Sequence, residues 1–130
     1  MSKIRLKILV AEDNVVNARL LTAILENEGH EIIVVADGEQ AVAKCRIEAF
    51  DVILMDVNMP VMDGLEATRQ IRDGAVPMRD VTILALTADD DGVMQRTCIE
   101  AGMNAFISKP VNMADLKRAL VQVVDRRRTS

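Results

Sequence analysis

The sequence predicts an α/β fold of five successive βα units, and three observations support this prediction. Short apolar runs alternate along the 130 residues with longer stretches whose apolar positions recur every three or four residues, as in amphipathic helices. The short runs are apolar throughout, which is typical of strands covered on both faces. Because strands and helices alternate, the strands are expected to form one parallel sheet with right-handed crossovers.

The first two units occupy residues 7–48. Lys7–Ala11 (KILVA) is predicted to be a strand, and residues 14–28 are predicted to be a helix, with Gly29 just past its end. The second unit consists of a strand at residues 31–36 (EIIVVA) and a shorter helix at residues 38–48.

The last three units occupy residues 51–127. Their strands are predicted at residues 51–55 (DVILM), 81–86 (VTILAL) and Ala105–Ser108. Their helices are predicted from residue 63 or 64 to 72, from 90 to 101, and from 112 to about 127. The chain holds no internal repeat, low-complexity tract or interior linker, so residues 1–130 are expected to form a single domain.

The composition excludes several classes of protein. With 50% hydrophobic and 28% charged residues, the chain can fill a core, which argues against intrinsic disorder. No run approaches the roughly 18 apolar residues of a membrane-spanning helix, and the first residues lack the apolar stretch of a secretory signal. Cys45 and Cys98 form neither a zinc motif nor a disulfide framework. We therefore expect a cytoplasmic protein with no membrane partner.

The charge distribution argues against nucleic acid as a partner. The net charge is −4, but residues 8–116 hold 8 basic and 19 acidic side chains, a balance of −11. Proteins usually hold nucleic acid with a basic stripe, which this acidic middle segment does not supply. The only aromatic residues are Phe50 and Phe106, so stacking sites for bases or ring-shaped cofactors are also disfavoured.

Polar residues follow four of the predicted strands. Glu12 and Asp13 come directly after the first strand, Asp56 after the third, Thr87 after the fourth and Lys109 after the fifth. In an open parallel sheet, ligands bind outside the carboxyl ends of the strands. These five side chains are therefore expected to lie at one edge of the sheet and to form a candidate site.

Three carboxylates in one pocket repel each other, so either one is protonated or a cation neutralises them. Oxygen ligands without histidine or thiolate favour Mg²⁺. Taken singly, Asp13 or Asn14 could cap the first helix, Asp56 could begin a turn and Lys109 could be a surface lysine. Together, they favour a carboxylate nucleophile that takes a phosphoryl group, with Lys109 and Thr87 close to the new anion. The sequence thus predicts phosphoryl transfer onto Asp56.

Five motifs resemble those of the response-regulator receiver domain of two-component signalling, over about residues 5–125. In order along the chain they are ILVAEDN at residues 8–14, DVILMD at 51–56, MPVMDG at 59–64, ALTA at 85–88 and FISKP at 106–110. Each motif is weak alone, but five in this order form a strong signal. The resemblance implies a flavodoxin-like three-layer sandwich with the strand order 2-1-3-4-5.

The resemblance also implies a Mg²⁺ cofactor and a role for each site residue. Asp56 would accept a phosphoryl group from the phosphohistidine of a histidine kinase or a histidine phosphotransfer protein. Asp13, Asp56 and the backbone carbonyl of Asn58 would bind Mg²⁺ directly, and Glu12 would act mainly through water. Lys109 would contact the phosphoryl oxygens.

The resemblance further implies a switch. Thr87 would contact the phosphoryl group together with Lys109, and its movement would be linked to rotation of Phe106. The face formed by the fourth helix, fifth strand and fifth helix would then change its affinity for an output partner or a second copy of the chain. Such a protein is a signalling switch, an enzyme only toward its own phosphorylation and dephosphorylation. The Lys109–Pro110 bond is often cis in this family.

Some features depart from the family pattern or leave alternatives open. Glu12 stands where aspartate is usual, Phe106 where tyrosine is frequent, and Thr82 where proline is common. An aspartyl-phosphate phosphatase, a flavodoxin-like nucleotide carrier and a constitutive pseudo-receiver are the alternative functions. No output domain is expected in this chain. It is either a stand-alone regulator or the receiver of a larger protein such as a hybrid histidine kinase, which residues 56–71 resemble.

Overall fold

The computed structural model describes residues 5–73, 79–88 and 92–129, with side chains described up to residue 123. Within these residues, five strands alternate with five helices along the chain. The elements are β1 (Lys7–Ala11), α1 (Val15–Asn27), β2 (Glu31–Val35), α2 (Gly38–Ile47), β3 (Val52–Asp56), α3 (Gly64–Arg72), β4 (Thr82–Thr87), α4 (Gly92–Ala101), β5 (Ala105–Ser108) and α5 (Met113–Thr129). Among the described residues, we find no helix with the length and apolar character that a membrane span requires.

All five strands pair in parallel, in the order β2-β1-β3-β4-β5. The chain therefore starts near the centre of the sheet, extends it first to one side and then to the other, and reverses direction between β1 and β3. This architecture confirms the predicted α/β fold and the flavodoxin-like strand order. Ligands of such sheets bind beside the point of reversal, at the carboxyl ends of the strands.

Apolar layers cover both faces of the sheet. On one face, α2, α3 and α4 pack against alternate strand residues such as Leu9 and Ile53. On the other face, α1 and α5 pack against the intervening residues, such as Val10 and Leu54. Neighbouring strand residues point to opposite faces, so strands covered twice must be apolar at every position. This explains the uninterrupted apolar runs in the sequence.

The structure shifts two predicted strands by one residue. β3 and β4 each begin and end one residue later than the apolar runs indicate, so Asp56 and Thr87 are the last residues of their strands. The reason is backbone pairing, because Asp56 lies in register with Leu86, and Thr87 with Ser108. Polar side chains can occupy these positions because the strand ends face the site.

The helix starts agree with cap chemistry. The side chains of Asn14, Asp37 and Asp63 each accept a hydrogen bond from the backbone N–H three residues further on, at the starts of α1, α2 and α3. The predicted start of the fourth helix, at residue 90, lies outside the described residues, which place α4 from Gly92 onward. The last helix runs to Thr129, slightly beyond its predicted end.

Candidate functional site

Three carboxyl groups meet at the carboxyl ends of β1 and β3. Glu12 and Asp13 directly follow β1, and Asp56 ends the neighbouring strand β3. One carboxylate oxygen from each of the three residues lies within 4.8 Å of the other two. Glu12 and Asp56 are each only 3% exposed, whereas Asp13 is exposed. The cluster thus has two buried acids and opens to solvent beside the third.

Lys109 brings a positive charge to this cluster from beyond β5. Its Nζ donates a hydrogen bond to Asp56 Oδ2 at 2.6 Å and lies 3.3 Å from Glu12 Oε1. The backbone N–H of Lys109 donates to the carbonyl oxygen of Thr87 at 2.8 Å, which continues the pairing of β4 with β5 by one residue. The following Lys109–Pro110 peptide bond is cis.

The carboxylate of Asp56 is held through both of its oxygens. Lys109 binds Oδ2, and Oδ1 accepts a hydrogen bond from the backbone N–H of Asn58 at 3.2 Å. The main chain is also fixed, because the N–H of Val57 donates to the carbonyl oxygen of Leu86 at 3.1 Å. The position of this carboxylate is therefore set by strand pairing and by the loop that follows β3.

The site destabilises the negative charge of Glu12. Its Oε2 accepts a hydrogen bond from the backbone N–H of Asn14 at 3.2 Å, while the buried Oε1 accepts none, since Lys109 approaches it outside hydrogen-bond geometry. Burial raises the pKa of Glu12 to about 7, and the neighbouring Asp56 adds to this rise. Without a cation, Glu12 is therefore partly protonated near neutral pH.

The ammonium group of Lys109 keeps its positive charge in the site. Burial alone would lower the pKa of its ammonium group, but the hydrogen bond to Asp56 and the charges of Asp56 and Glu12 outweigh burial and raise it. Lys109 therefore stays protonated at neutral pH and offsets one negative charge of the cluster. Among the described residues, the site holds three carboxyl groups and one ammonium group, so it retains negative charge whenever the acids are ionised.

The residues present fit a hard divalent cation. The side-chain oxygens of Glu12, Asp13 and Asp56 match the oxygen ligands that Mg²⁺ prefers. Glu12 Oε1 is a second indication: it is buried and accepts no hydrogen bond, although Lys109 Nζ lies 3.3 Å away, whereas a buried carboxylate oxygen normally accepts one. The acid cluster can therefore bind a metal ion.

The other predicted site residues lie around this cluster. Thr87, at 1% exposure, ends β4 beside Asp56, and its carbonyl oxygen holds the main chain of Lys109. Asn58 is exposed in the loop after β3, with its backbone close to Asp56. Phe106 is half-buried on β5 and packs against the apolar layer between the sheet and α2, α3 and α4. Their functional roles remain predictions.

The sequence did not predict one backbone hydrogen bond of the site, which Asn14 supplies. Asn14 was expected only as a possible helix cap, and its side chain does cap α1 by accepting from the N–H of Asn17 at 3.0 Å. Its backbone N–H has a second role, since it binds the buried carboxyl group of Glu12. The sequence signal for this arrangement is an asparagine that lies two residues after Glu12 and directly before the first residue of α1.

Comparison with known proteins assigns the family. Residues 8–121 match the family model of the response regulator receiver domain. The chain is 36% identical to the "Probable histidine kinase 1" of Oryza sativa subsp. indica, over 89% of the chain but only 15% of that protein. The chain thus spans a small part of this curated relative. It belongs to the response regulator receiver domain family, whose members are signalling switches of two-component and phosphorelay systems.

Two solved structures show the same fold. The receiver domain of the sensor histidine kinase PA1611 from Pseudomonas aeruginosa, crystallised with a magnesium ion coordinated in its active-site cleft, is 40% identical. It aligns with a TM-score of 0.86 over 94% of this chain and 99% of that one. The receiver domain of Ssk1 from Saccharomyces cerevisiae, crystallised with the phosphotransfer protein Ypd1, is 29% identical. Its TM-score is 0.84, over 92% of this chain and 88% of the matched one.

Proposed function

We propose that this receiver takes a phosphoryl group from a phosphohistidine onto Asp56 in a Mg²⁺-dependent reaction. One observation carries the proposal: the Asp56 carboxylate is 3% exposed, its Oδ2 is 2.6 Å from Lys109 Nζ, and it lies in a cluster with two further acids. A carboxylate with no other function is seldom buried in a cluster of acids.

The transfer is a single displacement at phosphorus. A carboxylate oxygen of Asp56 forms a P–O bond while the P–N bond to the donor imidazole breaks, and the imidazole nitrogen keeps the bonding electron pair. The product is an acyl phosphate on Asp56 and a free histidine on the donor. Lys109, already in contact with this carboxylate, would transfer its hydrogen bond to a phosphoryl oxygen, and the hydroxyl of Thr87 would donate to another.

Asp13, Asp56 and the backbone carbonyl of Asn58 would hold Mg²⁺, with Glu12 acting through water. Bound there, the cation would offset the charge of the phosphoryl group against the surrounding acids. The magnesium ion in the cleft of the PA1611 receiver supports this assignment. The buried Oε1 of Glu12, which accepts no hydrogen bond, supports it independently, because a cation or its water shell would satisfy that atom.

The switch would start at Thr87. Its side chain is almost fully buried at the end of β4, so a hydrogen bond to a new phosphoryl group would displace it from its packed position. Phe106 lies on the neighbouring strand β5, is only half-buried and would take a second rotamer. The face of α4, β5 and α5 would then differ in affinity for an output partner or a second copy of the chain.

A protein donor suits this site better than a small substrate. The helix α1, which follows Glu12 and Asp13, exposes apolar side chains of Val15, Val16 and Leu20 to solvent. Such a patch beside the acceptor is suited to a protein surface. The complex of the Ssk1 receiver with Ypd1 shows this kind of partner for a relative. The receiver would act either alone or within a larger kinase. The second arrangement agrees with the 15% of the histidine kinase relative that the chain covers.

Labelling by a small phosphodonor tests the acceptor. We expect radiolabelled acetyl phosphate with Mg²⁺ to label the wild-type chain, and Asp56→Asn to lose the label because the nucleophilic oxygen is gone. Asp73→Asn, at an exposed aspartate next to the end of α3, is the matched control and should be labelled normally. Labelling of Asp56→Asn at the wild-type rate would contradict the assignment.

A further inference from the structure

The loop that follows Asp56 contains a strained turn. Val61 has a φ of +67°, a conformation that β-branched residues rarely adopt. The N–H of Met62 donates to the carbonyl oxygen of Pro60 at 2.7 Å, so residues 60–62 form a γ-turn. The side chain of Val61 is 77% exposed and gives little packing that could hold the turn. Strain of this kind persists only where the surrounding structure fixes it.

A glycine on another element fixes this turn from outside the loop. Gly38, the first residue of α2, donates its backbone N–H to the carbonyl oxygen of Met62 at 2.9 Å. The first N–H groups of a helix have no partner within the helix. The Met62 carbonyl therefore accepts a hydrogen bond that the Gly38 N–H would otherwise donate to water. The contact joins residues 24 positions apart in the sequence.

The contact requires the absence of a side chain at position 38. A Cβ added to Gly38 would lie 2.5 Å from the carbonyl oxygen of Met62, 2.8 Å from that of Asp63 and 3.0 Å from the Cβ of Ala67. Two of these three neighbours are backbone atoms, which cannot turn aside as a flexible side chain can. Any larger residue must therefore push the loop or the start of α3 away from α2.

The same loop carries the predicted cation ligand. Its near end is fixed at Asp56 by the N–H of Asn58, and its far end by the N–H of Gly64, which donates to the carbonyl oxygen of Val57 at 3.0 Å. Between these two points, the Met62 carbonyl is held by Gly38. A shift of Met62 is therefore passed on to Asn58 through only three intervening residues, one of which is Pro60.

We propose that Gly38 is a positioning residue for the cation site: its N–H and its missing side chain hold residues 57–63 in the shape that presents the Asn58 carbonyl beside Asp56. This inference rests on the proposed function, which assigns that carbonyl to Mg²⁺. Gly38 does not touch the cation or the phosphoryl group; it acts through Met62.

Calorimetric titration of the full chain with Mg²⁺ tests the inference. We expect Gly38→Ala to raise the dissociation constant at least fivefold, at a temperature where the variant is folded. Gly92→Ala is the matched control, because Gly92 also begins a helix but a Cβ there would meet nothing within 4 Å. It should bind Mg²⁺ within twofold of wild type. A folded Gly38→Ala with wild-type affinity would overturn the inference alone, whereas a wild-type chain that binds no Mg²⁺ would overturn the proposed function as well.

Amide hydrogen exchange in the wild-type chain gives a second test, which does not depend on the folding of a variant. If holding the loop favours cation binding, cation binding must favour the held loop to the same extent. Saturating Mg²⁺ should slow exchange at the Gly38 amide at least threefold more than at Ala41, whose N–H donates to the carbonyl of Asp37, the cap residue of α2. Equal slowing at both amides would overturn the proposal.

Discussion

At the scale of one residue, Glu12 shows how burial in the site disfavours a negative charge. Its carboxyl group is buried beside Asp56, and its pKa is about 7 instead of the ordinary 4.5. Between these two values the folded chain keeps a proton that the unfolded chain has lost, so stability falls as the pH rises through this window. With Mg²⁺ chelated, we expect the free energy of unfolding to fall from pH 5 to pH 8 by on the order of 3 kcal/mol because of Glu12.

Denaturant unfolding of wild type and Glu12→Gln, compared at each pH, measures this contribution. The variant cannot ionise at position 12, so the difference between the two proteins should grow with pH. His30 does not disturb the comparison, because both proteins contain it. Burial lowers the pKa of His30, whose Nδ1 accepts from the N–H of Leu6, so its own effect is a loss of stability as the pH falls through 6.5. A difference that is independent of pH would contradict the raised pKa of Glu12.

The sequence allowed prediction of which residues meet at the site but not of their state. Glu12, Asp13, Asp56 and Lys109 could be placed together because each lies at the end of a strand of a parallel sheet or just after it. The protonation state of Glu12 could not be predicted, because it depends on the position of Lys109 Nζ. This atom lies 2.6 Å from Asp56 Oδ2 but makes no hydrogen bond to Glu12 Oε1. Distances of this size are set by side-chain packing, which has no periodic signal in the sequence.

At the scale of elements, Arg72 ties three segments together. This residue ends α3, and its guanidinium donates to the carbonyl of Gly102 at 2.9 Å, to the carbonyl of Arg79 at 2.6 Å and to Asn104 Oδ1 at 3.0 Å. The same Asn104 oxygen accepts from the N–H of Ile83 at 2.7 Å, at the start of β4. One side chain thus joins the end of α3 to the turn after α4 and to the approach to β4.

We expect Arg72→Met to lower the free energy of unfolding by about 1–3 kcal/mol, because the variant leaves three acceptors, one of them in a part-buried contact, without a charged donor. Urea denaturation gives the value. Arg69→Met is the control, since Arg69 is exposed and pairs only loosely with Glu66 at 3.6 Å, and it should cost under about 0.5 kcal/mol. Equal losses in both variants would show that the network around Arg72 contributes nothing specific.

Element order was predictable, whereas the connections between elements were not. The strand and helix periods placed every element to within a few residues, because burial on both faces imposes apolar runs. The one-residue shift of β3 and β4 follows from strand register, which the runs do not encode. Gly38 donates to a backbone carbonyl, and so does Arg72 in two of its three contacts. A carbonyl is present at every position, so no residue type in the sequence marks these contacts.

At the scale of the whole molecule, the site lies where the two apolar layers share one sheet. Each strand contributes side chains to both layers, so the ends of β1, β3 and β4 cannot move independently of the core. The repulsion among Glu12, Asp13 and Asp56 therefore lowers the stability of the entire fold. A cation bound only by the folded chain should raise that stability by RT ln(1 + [Mg²⁺]/Kd), about 2.7 kcal/mol at a hundred times the dissociation constant.

This linkage predicts a pH-dependent response of thermal unfolding to Mg²⁺. The cation competes with the proton on Glu12, so its stabilising effect should be larger at pH 8, where Glu12 is ionised, than at pH 6. Asp13→Asn, which replaces the exposed acid of the cluster, should fold normally and lose most of the response, whereas Asp73→Asn should keep it. If Mg²⁺ raises the melting temperature of Asp13→Asn as much as that of wild type, the ion binds elsewhere on the chain. A response of equal size at both pH values would instead show that the proton on Glu12 and the cation do not compete for the same oxygens.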